Sequence, residues 1–141
     1  MSYPLVSTMP PLGALNTAPG SARAHLRTTL KVWDMAAYEE VAELLASELV
    51  TNAIEASTDG NGKPVYVNGR LPVIFFRMLG YRAALVLEVW DMMASAPVVQ
   101  HVGANDEHGR GMLLVETLAA RWSWKTSPDW SGKCVWAEIT L

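Results

Sequence analysis

The residues best suited to chemistry lie on one stretch of apparent helix, from about Tyr38 to Ala56. On a wheel turning about 100° per residue, Glu48, Asn52 and Glu55 fall on one narrow arc. One or two turns earlier the same arc carries Val41, Leu44 and Leu45. A face that is apolar at its start and acidic and amidic at its end fits a helix that seals a core and then lines a cleft. Glu48 and Asn52, one turn apart, offer a carboxylate to orient water or a hydroxyl and an oxygen ligand for a hard metal ion. The plainer alternative is a helix whose C-terminal half rises into solvent. Two further groups stand later in the chain. Asp91 ends the most apolar segment, where a carboxylate can accept hydrogen bonds from a ligand's amino group in a partly dry pocket; its plainer reading is an Asp opening a turn. Gly109-Arg110-Gly111 precedes another helical stretch and offers bare backbone N–H groups at a helix N-terminus, where phosphate is favoured, or else simply a flexible loop.

Positioning these groups requires a folded domain, and the composition allows one. The chain has 141 residues, half of them apolar and only 18% charged, so a single domain with its own core is expected and disorder throughout is excluded. A formal net charge of −3 with no basic run argues against direct nucleic-acid binding. A single cysteine, Cys134, excludes an internal disulfide framework and suits a reducing compartment. The first basic residue is Arg23, so no signal-peptide n-region is recognised, and Glu88 interrupts the greasiest segment. A cytoplasmic protein with no membrane partner is the expectation.

Residues 1–20 contain Pro4, Pro10, Pro11 and Pro19 and no charge, and read as an irregular leader, in part disordered or folded against a neighbour, to a domain spanning 21–141. Ser21 is the expected N-cap of a first helix, Ala22 to Trp33, whose Arg23, Arg27 and Lys31 read as a solvated face. After the helix carrying Glu48 and Asn52, the breakers Ser57 to Gly62 end the helical pattern. Val73 to Met78 and Ala83 to Trp90 read as a hairpin whose second strand is central, because both its faces are apolar. A long loop from Asp91 to Asp106, a helix from Met112 to Arg121, and strands Trp122 to Lys125 and Cys134 to Leu141 complete the pattern. In the last strand Val135, Ala137, Ile139 and Leu141 share one face. The predicted fold is α+β, a two-layer sandwich with helices on one face of a mixed β-sheet. Trp122, Trp124, Trp130 and Trp136 read as core filling, Cys134 as a buried structural thiol, and His25, His101 and His108 show no metal-ligand spacing.

In this order, a helical Glu-x-x-x-Asn, an Asp after a central strand and a Gly-x-Gly opening a helix resemble the GHKL superfamily, the ATP-binding fold of gyrase B, histidine kinases and anti-sigma-factor serine kinases. Ser47-Glu48-Leu49-Val50-Thr51-Asn52-Ala53 is similar to the family's N-box. Val89-Trp90-Asp91 through Pro97 stands in place of its first glycine box, without the glycines. Glu107-His108-Gly109-Arg110-Gly111-Met112-Leu113-Leu114-Val115-Glu116 resembles the second. Gly132-Lys133-Cys134-Val135-Trp136 stands where the family's last strand begins, with Cys134 where many relatives carry a Thr. The resemblance is nearest to small bacterial anti-sigma regulatory kinases. It implies ATP and Mg²⁺ as ligands, Glu48 as catalytic base, Asn52 as metal ligand, Asp91 as reader of the adenine amino group, and Gly109, Arg110, Gly111 and Met112 around the phosphates. Cys134 would lie beside the base. It further implies a serine/threonine protein kinase acting on a small antagonist protein, with that protein or a sigma factor as partner and the first helix as a homodimer surface. The alternative is a non-catalytic or nucleotide-gated module that sequesters a regulator.

Overall fold

The structure, a computed structural model, describes residues 2–97, 110–127 and 132–140. In chain order they form β1 (Leu5–Thr8), β2 (Leu12–Gly13), α1 (Ala18–Val32), a 3-10 turn (Ala36–Tyr38), α2 (Glu39–Ala56), β3 (Val73–Gly80), β4 (Ala84–Asp91), α3 (Arg110–Leu118), β5 (Arg121–Thr126) and β6 (Lys133–Thr140). The strands make one sheet in the order β1-β3-β4-β6-β5, with β2 also paired to β3. The helices lie on one face of it, as the α+β expectation requires.

The sheet is antiparallel at each of its pairings rather than mixed. β4 and β5 do run in the same direction, joined through α3. The β5–β6 hairpin, however, folds back so that β6 lies between them, and no two parallel strands become neighbours. β4 is central, between β3 and β6.

The helices start and stop for local reasons. α1 begins earlier than Ser21, at Ala18, with Pro19 in its first turn, where a missing N–H costs nothing. It ends at Asp34, which adopts a left-handed φ of 55°, a conformation Asp tolerates better than most residues. Ala18, Ala22, Leu26 and Leu30 form its buried stripe. Its basic residues are not simply solvated. Arg23 donates a 2.9 Å hydrogen bond to Ser47 Oγ and Arg27 pairs with Glu43, so both tie α1 to α2. α2 buries Ala42, Leu45, Ala46, Leu49, Val50 and Ala53 against α1, α3 and the sheet. Leu45 meets the apolar expectation for the start of that arc, but Leu44 is 42% exposed and does not.

The leader is partly ordered. Leu5–Thr8 is an edge strand on β3, held to α1 by a 2.8 Å hydrogen bond between Ser7 Oγ and His25 Nε2. Two side-chain alternations fix the sheet's faces. Ile74, Phe76 and Met78 of β3, Leu85, Leu87 and Val89 of β4, and Val135, Ala137 and Ile139 of β6 point into the core. The other face carries Phe75, Arg77, Glu88, Trp90, Cys134 and Trp136. The tryptophans do not fill the core as a group. Trp122 packs at its edge, Trp124 is 36% exposed, and Trp136 is half-buried on the far face; Trp130 lies outside the described residues.

Beyond β6's first residue the chain approaches β4 very closely. A Cβ on Gly132 would stand 2.0 Å from the carbonyl oxygen of Asp91, whereas one on Gly60 would meet nothing within 4 Å. Replacement of Gly132 by Ala is therefore expected to cost about 2–4 kcal/mol in urea unfolding through forced backbone movement. Gly60→Ala should stay within about 0.5 kcal/mol of the parent.

Candidate functional site

The C-terminal half of α2 and the segment after β4 meet at a cleft of about 730 Å³. Its walls include Asn52, Glu55 and Thr58 from the α2 side, Ser95 and Pro97 from the segment after β4, and Lys133 from β6. The α2 terminus is closed locally. Ser57 and Thr58 donate from their hydroxyls to the carbonyls of Ala53 and Ile54, and Asp59 Oδ1 accepts from the amides of Asn61 and Lys63. Those side chains satisfy the last carbonyls and hold the rim of the cleft in a tight turn.

Asn52 contributes an unspent acceptor. Its Oδ1 is buried and has no hydrogen-bond donor among the described residues. Such an atom is costly unless something supplies a partner. Glu48, one turn earlier, is half-buried, and its carboxyl is pushed above the usual carboxylate range, first by burial and then by the charge of Glu55. A carboxylate so shifted is a better proton acceptor than a free one. Of the predicted arc, Asn52 and Glu55 line the cleft, and Glu48 is not among its described lining residues.

Asp91 is the last residue of β4, and it is fully buried. Its Oδ1 accepts a 2.8 Å hydrogen bond from the amide of Met93, so the turn-opening role is real. Its Oδ2 lies 2.7 Å from Nζ of Lys133, and both side chains are 0% exposed. The two are at ion-pair distance, and neither Oδ2 nor Nζ has a further hydrogen-bond partner among the described residues. Burial drives the Asp91 carboxyl upward, and the ammonium of Lys133 and the amide of Met93 only partly offset it. The pair exists because the register places Asp91 directly opposite Lys133, with both on the core face of the sheet.

Cys134 does not belong to this site. One residue along the strand, it projects to the opposite face, level with Trp90 and Lys125. There its thiol is pushed up to about 12, by burial and then by Glu88. Lys133, to which the resemblance gives no role, is the residue of this strand that faces the core and lines the cleft. The signal was present: counting back by two from Val135 along the core-facing positions gives Lys133. Met112 is likewise a core residue, 1% exposed and packed in the apolar cluster, not a wall of the cleft. Arg110 and Gly111 form the first turn of α3, which starts two residues before the predicted Met112. Gly109, His101 and His108 lie outside the described residues.

The family model for histidine kinase-like ATPase domains matches residues 13–139. The chain belongs to that family. No match is found among curated proteins. Membership supports GHKL ancestry and implies ATP binding, and it accounts for the three helices and six-stranded sheet. In this ATPase domain the buried acceptor of Asn52 suits a magnesium ion, which keeps most of its waters and takes one or two protein oxygens together with substrate phosphates. Among the described residues no helix is long and apolar enough to cross a membrane.

The buried pair makes a pH-dependent demand. Because the Asp91 carboxyl titrates higher in the folded chain than in the unfolded one, its ionisation costs stability as pH rises from the unfolded value toward the folded one. Lys133→Met removes the charge that restrains this shift. Its deficit relative to the parent should be about 3–5 kcal/mol at neutral pH. Urea unfolding at about pH 4.5 should show a smaller deficit, since the carboxyl is then more protonated and the parent's ammonium is itself left unpaired.

Proposed function

We propose that this ATP-binding domain is a serine/threonine protein kinase of the anti-sigma regulatory kind, using Mg-ATP to phosphorylate a small antagonist protein. The observation that carries the reading is the buried, unpartnered Oδ1 of Asn52 at the wall of the cleft, one helical turn from a carboxylate whose proton affinity is raised. Asn52 would hold the ion through that oxygen, and when bound the ion neutralises charge on the phosphates. Asp91 accepts from the exocyclic amino group of the base at the buried end of the site. Glu48 orients the attacking hydroxyl and takes its proton as the hydroxyl oxygen bonds to the γ-phosphorus and the bond to the ADP oxygen breaks. The remaining work is positioning, which α2 and the β4 terminus supply from rigid elements.

One observation favours a second reading, a nucleotide-gated module that sequesters its partner without transfer. The Asp91 carboxylate already faces an ammonium group, so the base meets an occupied reader. The two readings separate on two variants. Under the kinase reading, Glu48→Gln retains ATP binding within about threefold while phosphate transfer to the partner falls by about 10²–10⁴-fold. Asn52→Ala weakens Mg²⁺-dependent ATP binding in calorimetry by about tenfold or more. Undiminished partner capture by Asn52→Ala, with no phosphoprotein formed by the parent chain, would instead support the module.

A further inference from the structure

A lone carboxylate at the base end of the cleft selects for adenine by simple complementarity: it accepts from an exocyclic amino group and repels a carbonyl oxygen. This chain does not present a lone carboxylate. Asp91 Oδ2 and Lys133 Nζ stand 2.7 Å apart, both fully buried, and neither atom has a further hydrogen-bond partner among the described residues. Lys133 belongs to the wall of the cleft, and the Asp91 carboxylate, not itself a lining residue, stands beside its ammonium. A ligand cannot cheaply expel the ammonium, because that would leave an unpaired charge buried behind it. A base edge that reaches the Lys133 wall therefore meets a donor with an acceptor beside it.

From this juxtaposition we infer that the site takes 6-oxopurine nucleotides as well as adenine nucleotides, with Lys133 as the residue that sets this specificity. The inference rests on the nucleotide-binding reading given above. An ammonium group has three donors, and one directed at Asp91 leaves others for the ligand. Guanine and hypoxanthine present O6, an acceptor, next to N1–H, a donor. Lys133 donates to O6 and Asp91 accepts from N1–H. Adenine fits the same pair in the other sense, with its amino group on Asp91 and its ring N1 accepting from Lys133. The pair thus cancels the discrimination a carboxylate alone would impose. Met92 and Met93, half-buried thioethers directly after Asp91, are the neighbours best able to repack around either ring.

The test is a calorimetric titration of the full chain with ATP, GTP and ITP in the presence of Mg²⁺. GTP and ITP are expected to bind within about tenfold of ATP, with ITP matching GTP because it lacks only the 2-amino group. In Lys133→Thr, GTP and ITP should lose at least about tenfold more affinity than ATP, since O6 then faces a carboxylate with no adjacent cation. If the parent binds ATP but GTP and ITP are weaker by more than about a hundredfold, the inference fails while the ATP site stands. An unchanged GTP-to-ATP ratio in a folded Lys133→Thr chain also overturns it. If the parent binds none of the three, the nucleotide reading falls and takes this one with it. The parent's own ratios decide the matter even if the variant does not fold.

Discussion

A lysine and an aspartate with no exposed surface, 2.7 Å apart at the end of the two central strands, impose the tightest constraint in this molecule. Either charge alone would be expelled or neutralised at that depth, so each exists only because the other is there. Their meeting depends on the β4–β6 register, which sets Asp91 against Lys133 and not against a neighbour. A slip of one residue would turn Lys133 to the far face and bring Cys134 inward, leaving the carboxylate with a weak donor. Gly132 secures the same register from outside the strand, because only a residue without a side chain can pass so near the Asp91 carbonyl.

α2 carries the second half of the arrangement and does two things with one surface pattern. Its small and aliphatic side chains, Ala42 to Ala53, close the core against α1, α3 and the sheet. Glu48 and Asn52 ride at the margin of that contact, half in the core's low-dielectric surroundings, and this is why the carboxyl of Glu48 titrates high and why Oδ1 of Asn52 is shut away from water. The packing that orients the helix therefore also tunes its polar residues. Fixing the end of α2 through Ser57, Thr58 and Asp59 keeps that margin facing the cleft.

Much of this was legible in the residues alone, and what was missed had physical causes. The 3.6-residue pattern of α2 gives the helix within a residue, because burial on one face leaves a periodic trace, and the β-branched and aromatic run at Val73 gives β3 within two. β1 was hidden: four residues at the sheet's edge, flanked by prolines, carry almost no periodic signal, and its anchor is the remote His25. The antiparallel sheet was hidden because strand order is a property of how the β5–β6 hairpin folds back, which local pattern does not encode. In the site, Asn52 and Asp91 stand out by type and place. Lys133 did not, since a lysine at a strand's start is ordinarily a solvated charge, and only the count of core-facing positions puts it inside.

β4 carries a second carboxylate–cation pair, this one with β3, and comparing the two shows why one marks a candidate site and the other does not. On the far face of the sheet Glu88 meets Arg77 across β3 and β4, and Glu88 is nearly as buried as Asp91. The guanidinium, however, is 37% exposed and forms an aligned hydrogen bond to the carboxylate. Its charge remains solvated and its partner's acceptor is used, so the pair behaves as an ordinary cross-strand contact. The thiol of Cys134 on that face is driven away from ionisation. On the helix face, by contrast, both charges are shut away, and among the described residues neither they nor the Asn52 amide oxygen at the cleft wall has a further hydrogen-bond partner. Buried polar groups of that kind call for a water, an ion or a ligand to complete them, and that asymmetry between the two faces of one sheet is what singles out the candidate site.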